Sequence, residues 1–398
     1  MLCGRLVIAR FELGPQPVSN KFATQAGNAA LKVNLALGGC DGCGLVQLVP
    51  PITHTKLVPP FPLVYREPEA HLDEVVSRCL RLPGIGAQSV VAGVTYKDDS
   101  TLERFARAGL SHWTIDRRVD LGVNDPAANI ETVQNVLTPD VAHQIRARQG
   151  GADILVARHI VEHCGNIATF INALRVLVND NGYLVLEVPD CRPNLQRRDY
   201  TMIWEEHSAY FTPSSFAALP SLSGFQPVWQ DVFPLIYEPC LVHVMQKNEN
   251  DGSAGQVTFP TAADEGRQSL KDYADGFRER TRSLKTFLAQ VRDRTGKAPV
   301  IYGAGHLSSA FVTYHDLSDF LAYVVDDTPS KQGHFMPAGD LEIRPSTCLI
   351  EDGVDLVLLG VSPEIEDAVI AKNASYVARG GEFYSILCSS PRSIVPML

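Results

Sequence analysis

From residue 89 onward, short unbroken apolar runs alternate with stretches in which apolar residues recur every three or four positions. Runs of the first kind are buried strands, and spacing of the second kind marks one face of a helix. This predicts strands at 89–94, 112–115, 153–157 and 183–188. It predicts helices at 101–108, stopped by Gly109, at 138–148, and from an Asn166 cap through Ile167, Phe170, Ile171, Leu174 and Leu177. Such alternation gives a parallel sheet with helices on both faces. Residues 226–233 and 241–245 follow with little helix between them, as an antiparallel hairpin closing one edge requires.

A polar linker at 249–256 leads into residues 262–294, where charge dominates and Leu270, Tyr273, Phe277, Leu284 and Leu288 fall at helical spacing. That reads as a long surface or connecting helix. A second α/β unit follows, with strands at 300–302, 320–325, 355–361 and 382–387 and helices near 306–315 and 363–378. The first seventy or so residues differ, being rich in glycine and proline with little sustained periodicity, so they need a staple or a neighbouring domain to hold a fold. The expectation is an α/β protein in three parts: a small N-terminal segment (1–75), a Rossmann-like domain (76–250), and a linker helix with a second Rossmann-like domain (251–398). The two larger parts would face each other across a cleft.

The chain has 398 residues, too many for one ordinary core, which stops growing near ~250 residues. Its 35 basic and 45 acidic residues leave a net charge of −10 with no dense basic stripe, which argues against a nucleic-acid partner. No apolar run approaches the ~20 residues needed to cross a bilayer. The first residues lack the pattern of a secretory signal, so a cytoplasmic protein without a membrane partner is expected. Nine scattered cysteines do not make a disulfide framework.

Four motifs carry chemistry. Trp204-Glu205-Glu206-His207-Ser208-Ala209-Tyr210-Phe211 sets a carboxylate beside an imidazole among aromatic rings, just past the strand at 183–188. There it could offer a general base to a small polar substrate, or be a loop histidine packed among aromatics. His159 and His163 stand four apart after the strand at 153–157 with Glu162 beside them, which suits a proton relay better than a metal, since no set of further ligands accompanies them. Cys40-Asp41-Gly42-Cys43 has the spacing of a zinc knuckle, with Cys3 as a third thiol and His54 or His71 as a further ligand. Gly303-Ala304-Gly305-His306 opens a helix after a strand, with Asp326 and Asp327 some twenty residues on. This could cradle a phosphate, or be a strand-to-helix turn with no nucleotide.

In this order the pieces resemble the nucleotide-sugar C-methyltransferases, over nearly the whole chain. Leu13-Gly14-Pro15-Gln16-Pro17-Val18-Ser19-Asn20-Lys21-Phe22 and Cys40-Asp41-Gly42-Cys43-Gly44-Leu45-Val46-Gln47-Leu48 are similar to the family's N-terminal pattern. The stretch 324–333, ending Lys331-Gln332-Gly333, is similar to its C-terminal one. The resemblance implies a class I methyltransferase-like Rossmann domain, a zinc-binding N-terminal segment and a second Rossmann-like domain. It implies transfer of a methyl group from S-adenosylmethionine to a dTDP-linked 4-keto-deoxysugar. His207 would be the base, Glu206 its partner, His163 the group assisting the ketone, and Tyr65 an aromatic near the sugar. Trp204, Tyr210, Phe211 and Lys331 would lie on the substrate side. Tyr96, Asp99, Asp116 and His159 would lie on the cofactor side, and Cys3, Cys40 and Cys43 would hold zinc.

One departure stands out. The family carries an acid-x-Gly-x-x-x-Gly turn after its first strand, where the glycines let the backbone approach the methionine end of the cofactor. A gap-free overlay places Val94, Tyr96 and Ser100 at the acid and both glycines, with Asp99 retained. Asp116 at the end of the second strand could still hold the adenosine ribose. Two further readings therefore stand beside the methyltransferase: a keto-sugar epimerase or isomerase that uses enolisation alone, and a non-catalytic sugar-nucleotide-binding protein.

Overall fold

The computed structural model describes the chain except residues 1, 6, 20, 29, 59–67, 249–258 and 338. Tyr65 and the polar linker fall outside the described residues. Three sheets organise the rest. The first has the order β1 (Val7–Pro17), β2 (Lys32–Cys40), β3 (Val46–Leu48) and β8 (Ala209–Tyr210), all antiparallel. The flat periodicity of this segment has a local cause: β1 shifts register between Ala9 and Phe11 and again between Glu12 and Gly14. Each bulge moves the following side chains to the other face, which erases a period of two. Phe11, Leu35, Leu37 and Leu48 share one core with Tyr210, Leu270 and Tyr273 from later in the chain, so the segment borrows its core from its neighbours.

The second sheet has the order β5 (Ser111–Thr114), β4 (Val90–Gly93), β6 (Ala152–Arg158), β7 (Val178–Pro189), β10 (Cys240–Lys247) and β9 (Phe225–Phe233). The first four are parallel, and β10 runs antiparallel between β7 and β9, the predicted hairpin at one edge. The chain leaves β4 toward β5 and returns to β6, so strand order reverses between β4 and β6, where α/β sheets bind ligands beyond their carboxyl ends.

The third sheet is all parallel, in the order β13 (Ile343–Arg344), β12 (Val324–Val325), β11 (Val300–Tyr302), β14 (Leu356–Leu359) and β15 (Glu382–Ser385). The strand expected at 320–325 is cut to Val324–Val325 because Phe320 and Leu321 donate their amides to a preceding turn. The helix expected at 363–378 breaks at Asn373 into Pro363–Lys372 and Ala374–Val377.

Helix Pro260–Thr295 joins the parts. It reaches the cysteine turn at a glycine contact: a Cβ on Gly266 would lie 2.2 Å from the Gly44 carbonyl oxygen, and one on Gly44 would lie 1.9 Å from that of Ala262. Gly44 also has φ +73°, so two separate constraints exclude a side chain there.

Candidate active site

The loop after β7 is held by all three parts. Asp199 caps its first turn through the Thr201 amide and hydroxyl. The Tyr200 hydroxyl donates to the Tyr273 carbonyl at 2.8 Å, and the Tyr273 hydroxyl donates to that of Asp199 at 2.8 Å, tying the loop to the long helix. Tyr314 of the third part donates to Ile203 O, and Trp204 stacks on His306 with centroids 4.8 Å apart. Glu205 accepts from the Ser19 amide at 2.6 Å, and β8 pairs with β3. Where a cleft was expected between the two Rossmann-like parts, this loop is wedged.

The loop delivers His207 to His163. Their rings meet edge to face, with centroids 4.6 Å apart and planes at 85°, and Trp204 lies 5.0 Å from His207. His163 Nδ1 is 2.6 Å from Glu131 Oε1, an acid on helix Ile130–Val136 that the sequence reading did not single out. Glu162, His163 and His207 each bring one ligand-type atom within 4.8 Å of the others. Glu206 is buried beside them. Burial opposes a charge on His163, yet the Glu131 carboxylate, with Glu162 behind it, more than offsets this, and the pKa is raised. Burial holds His207 well below the ordinary imidazole value, and the positive side of His163 adds to it. Two imidazoles with environments that drive their pKa values apart form an acid and base pair.

His159 links this cluster, through Glu162, to a second network around Glu187. It adopts φ 48°, and its two ring nitrogens lie 2.9 Å from Glu187 and 3.3 Å from Glu162, so it does not share a helical face with His163. Glu187 also takes His71 at 3.1 Å and the Arg158 guanidinium at 3.1 and 3.2 Å. Arg158, at the end of β6, is 1% exposed, and its Nη1 donates to the Lys97 carbonyl at 2.5 Å in the turn after β4. The guanidinium thus spans from β7 across the β6 end to the β4 turn. In that turn the buried acid is Asp98. It accepts from the amides of Val94, Thr95 and Arg158 at 2.8 to 2.9 Å, while Asp99 is exposed at the start of helix Asp99–Arg107. Tyr96 is exposed, and one Asp116 oxygen accepts from its own turn, at Arg118 and Val119.

These residues do not fit a methyl donor at the β4–β6 reversal. Such a ligand needs free amides and a backbone that can be approached. Here the Val94 and Thr95 amides of the turn are taken by Asp98, that of Lys97 by the Thr95 hydroxyl, and Arg158 bonds across from Glu187 to the Lys97 carbonyl.

The other sequence-derived residues are placed as follows. The Tyr210 hydroxyl bonds the backbone of Trp204, and Phe211, 1% exposed, packs on Phe216, so burial leaves Phe211 no surface for a ligand. Lys331 donates to Ala304 O at 2.7 Å and to Asp326 at 3.0 Å, and Asp326 accepts the Ala304 amide. The glycine turn at 303–305 is thus bonded at Ala304 by side chains from beyond β12. Cys3, Cys40 and Cys43 converge within 4.8 Å, with Cys3 and Cys40 sulfurs 3.2 Å apart. Hydrogen bonds from Cys43 and the Gly42 amide lower the Cys40 pKa. Three convergent thiols fit a tetrahedral metal. Among the described residues neither His54 nor His71 joins them, since His71 is engaged with Glu187.

This architecture is that of a methyltransferase-type Rossmann domain followed by a second α/β domain. Residues 97–230 match the methyltransferase domain family, and residues 255–387 match the C-methyltransferase C-terminal domain family. The chain is 24% identical over 324 residues to the C-methyltransferase NovU of Streptomyces niveus, covering 79% of this chain and 76% of that protein. Each of its two larger parts is thus similar to a domain of methyltransferases, and most of its length is similar to a C-methyltransferase. Looser structural similarity, at TM-score 0.31, extends to a SAM-dependent methyltransferase from Methanosarcina mazei (14% identity, 42% of this chain and 95% of that one). Magnesium protoporphyrin IX methyltransferase from Synechocystis PCC 6803 with bound SAH gives the same score (12% identity, 45% and 83%). No helix among the described residues is long and apolar enough to cross a membrane.

Proposed function

We propose that the chain acts on a nucleotide-linked 4-keto-deoxysugar and that His207 removes the proton from the carbon beside the ketone. The observation that carries this reading is the split pair itself: His207, whose pKa burial lowers, in ring contact with His163, whose pKa the Glu131 carboxylate 2.6 Å away raises against burial. A ketone acidifies the neighbouring C–H. An imidazole can remove that proton when the enolate oxygen meets a donor, here the His163 N–H. The relation to NovU and to the C-methyltransferase domains supports this choice of chemistry, in which carbon is made nucleophilic. In that family S-adenosylmethionine supplies the methyl group that captures the carbanion.

The test is exchange of that hydrogen with deuterated water on a 4-keto-deoxysugar nucleotide, followed by NMR with no methyl donor present. The wild-type chain exchanges it. His207→Ala loses about 10² to 10⁴ in rate while still binding the nucleotide. Equal exchange by both proteins would place the base elsewhere.

A further inference from the structure

At the β4–β6 reversal the Val94, Thr95 and Arg158 amides and the Lys97 carbonyl are already engaged by side chains of this protein, and the Asp116 carboxylate on the β5 side stays exposed. Asp98, 0% exposed, takes the Val94 and Thr95 amides of the turn and the Arg158 amide at the end of β6. Arg158 is fixed at both ends, on Glu187 at one and on the Lys97 carbonyl at the other, with Ser100 and Glu69 3.4 and 3.3 Å from its Nη1. Ser100 stands where the family has its second glycine, and its hydroxyl donates to Glu69 at 2.8 Å. The three changed residues of the turn, Val94 at the acid and Tyr96 and Ser100 at the two glycines, are therefore not isolated losses. They sit beside a bonded set, built from β4, β6 and β7, that uses the same space and the same donors. Opening it would leave Glu187, 1% exposed, with only His71 and His159, and taking the guanidinium from a buried carboxylate is costly.

We propose that this chain takes up no methyl donor at the β4–β6 edge and works instead as an isomerase that returns a proton to the enolate. This rests on the enolisation reading above. The balance is as follows: the C–H bond breaks toward His207 and the electron pair moves onto the ketone oxygen facing the His163 N–H; a C–H bond then re-forms at the same carbon, with the His207 proton on the original face, which restores substrate, or with a proton from water on the opposite face, which gives the second diastereomer. No group enters or leaves, and no oxidant is needed.

The experiment uses the full chain. Calorimetry with S-adenosylmethionine and S-adenosylhomocysteine should show no saturable heat at about 1 mM ligand, while the nucleotide sugar binds in the same preparation. Long incubation of a 4-keto-deoxysugar nucleotide with the protein alone should put deuterium at the carbon beside the ketone and build up a second diastereomer. Adding S-adenosylmethionine should change neither rate nor product mass. Saturable cofactor binding, or product that gains a methyl group, overturns the proposal and leaves the enolisation reading intact. Exchange without a second diastereomer overturns the isomerase. Loss of exchange with no cofactor binding overturns the enolisation reading, and leaves the closed donor edge standing.

Discussion

The rings of His163 and His207 meet edge to face at 4.6 Å, one backed by the Glu131 carboxylate and the other half-buried under Trp204. They are the same chemical group in neighbouring positions with opposite proton affinities. The contact comes about because β8 ties the loop to the N-terminal sheet while the turn after β6 presents His163.

The pH dependence of exchange should follow from that split. His207, its pKa held below 6.5, is the free base except at low pH, so the acid limb of the profile falls below 6.5. His163, its pKa raised above 6.5, stays protonated until higher pH, so the alkaline limb lies above 6.5. The rate should form a plateau spanning 6.5 and decline on both sides. A profile with one limb only would contradict the paired assignment.

Glu131→Gln removes the charge that raises His163. The alkaline limb should move toward lower pH, with the acid limb left in place, and the rate on the plateau should drop by about 10² if the proton donor is largely lost. A structural role alone would lower the rate without moving the limb. Rates measured from pH 5 to 10, with circular dichroism as a control on folding, separate the two.

Glu187→Gln leaves Arg158 buried with only the half-exposed Glu69 carboxylate as counter-charge and should cost about 3 kcal/mol in denaturant unfolding. The sign with pH follows from linkage. The folded pKa of Glu187 lies well below its ordinary 4.5, chiefly because the Arg158 guanidinium and the two histidines outweigh burial. Its contribution is therefore fully present above 4.5 and is lost as pH falls toward the folded value. The variant should lose stability less steeply with acid than the wild type.

Chelator-free protein should carry one zinc, held by Cys3, Cys40 and Cys43 with a further ligand, and Cys40→Ser should lose it together with the order of the N-terminal sheet. Elemental analysis and limited proteolysis check this. A metal-free wild type that resists proteolysis as well as the loaded form would reject a structural zinc.

Gly266→Ala places a Cβ 2.2 Å from the Gly44 carbonyl, inside contact distance of rigid backbone. Helix Pro260–Thr295 must shift off the cysteine turn, at a cost of about 1–3 kcal/mol. Gly296→Ala at the far end meets no atom within 4 Å but sits at φ +74°, so its cost is local and leaves the zinc content unchanged. Thermal unfolding and metal content of the two variants test the distinction.

The alternation of apolar runs and helical spacing determined the two α/β sheets, because strands buried on both faces must be apolar throughout and their covering helices must be amphipathic. The same linear reading picked out His207, His163 and the three cysteines, since those side chains carry chemistry wherever they fall. It could not see the N-terminal sheet, where two bulges erase the strand period and the core is lent by Tyr210, Leu270 and Tyr273. Nor could it choose between Asp98 and Asp99, or find Glu131. Adjacent acids differ only in which one the turn buries, and an acid on a separate helix becomes the partner of His163 only once that helix packs on the turn after β6. Proton affinity and room for a ligand depend on distances across the fold, through burial and charge. The tertiary structure alone therefore decided in which direction each imidazole's pKa shifts, and that Arg158 and Asp98 bond across the β4 and β6 ends.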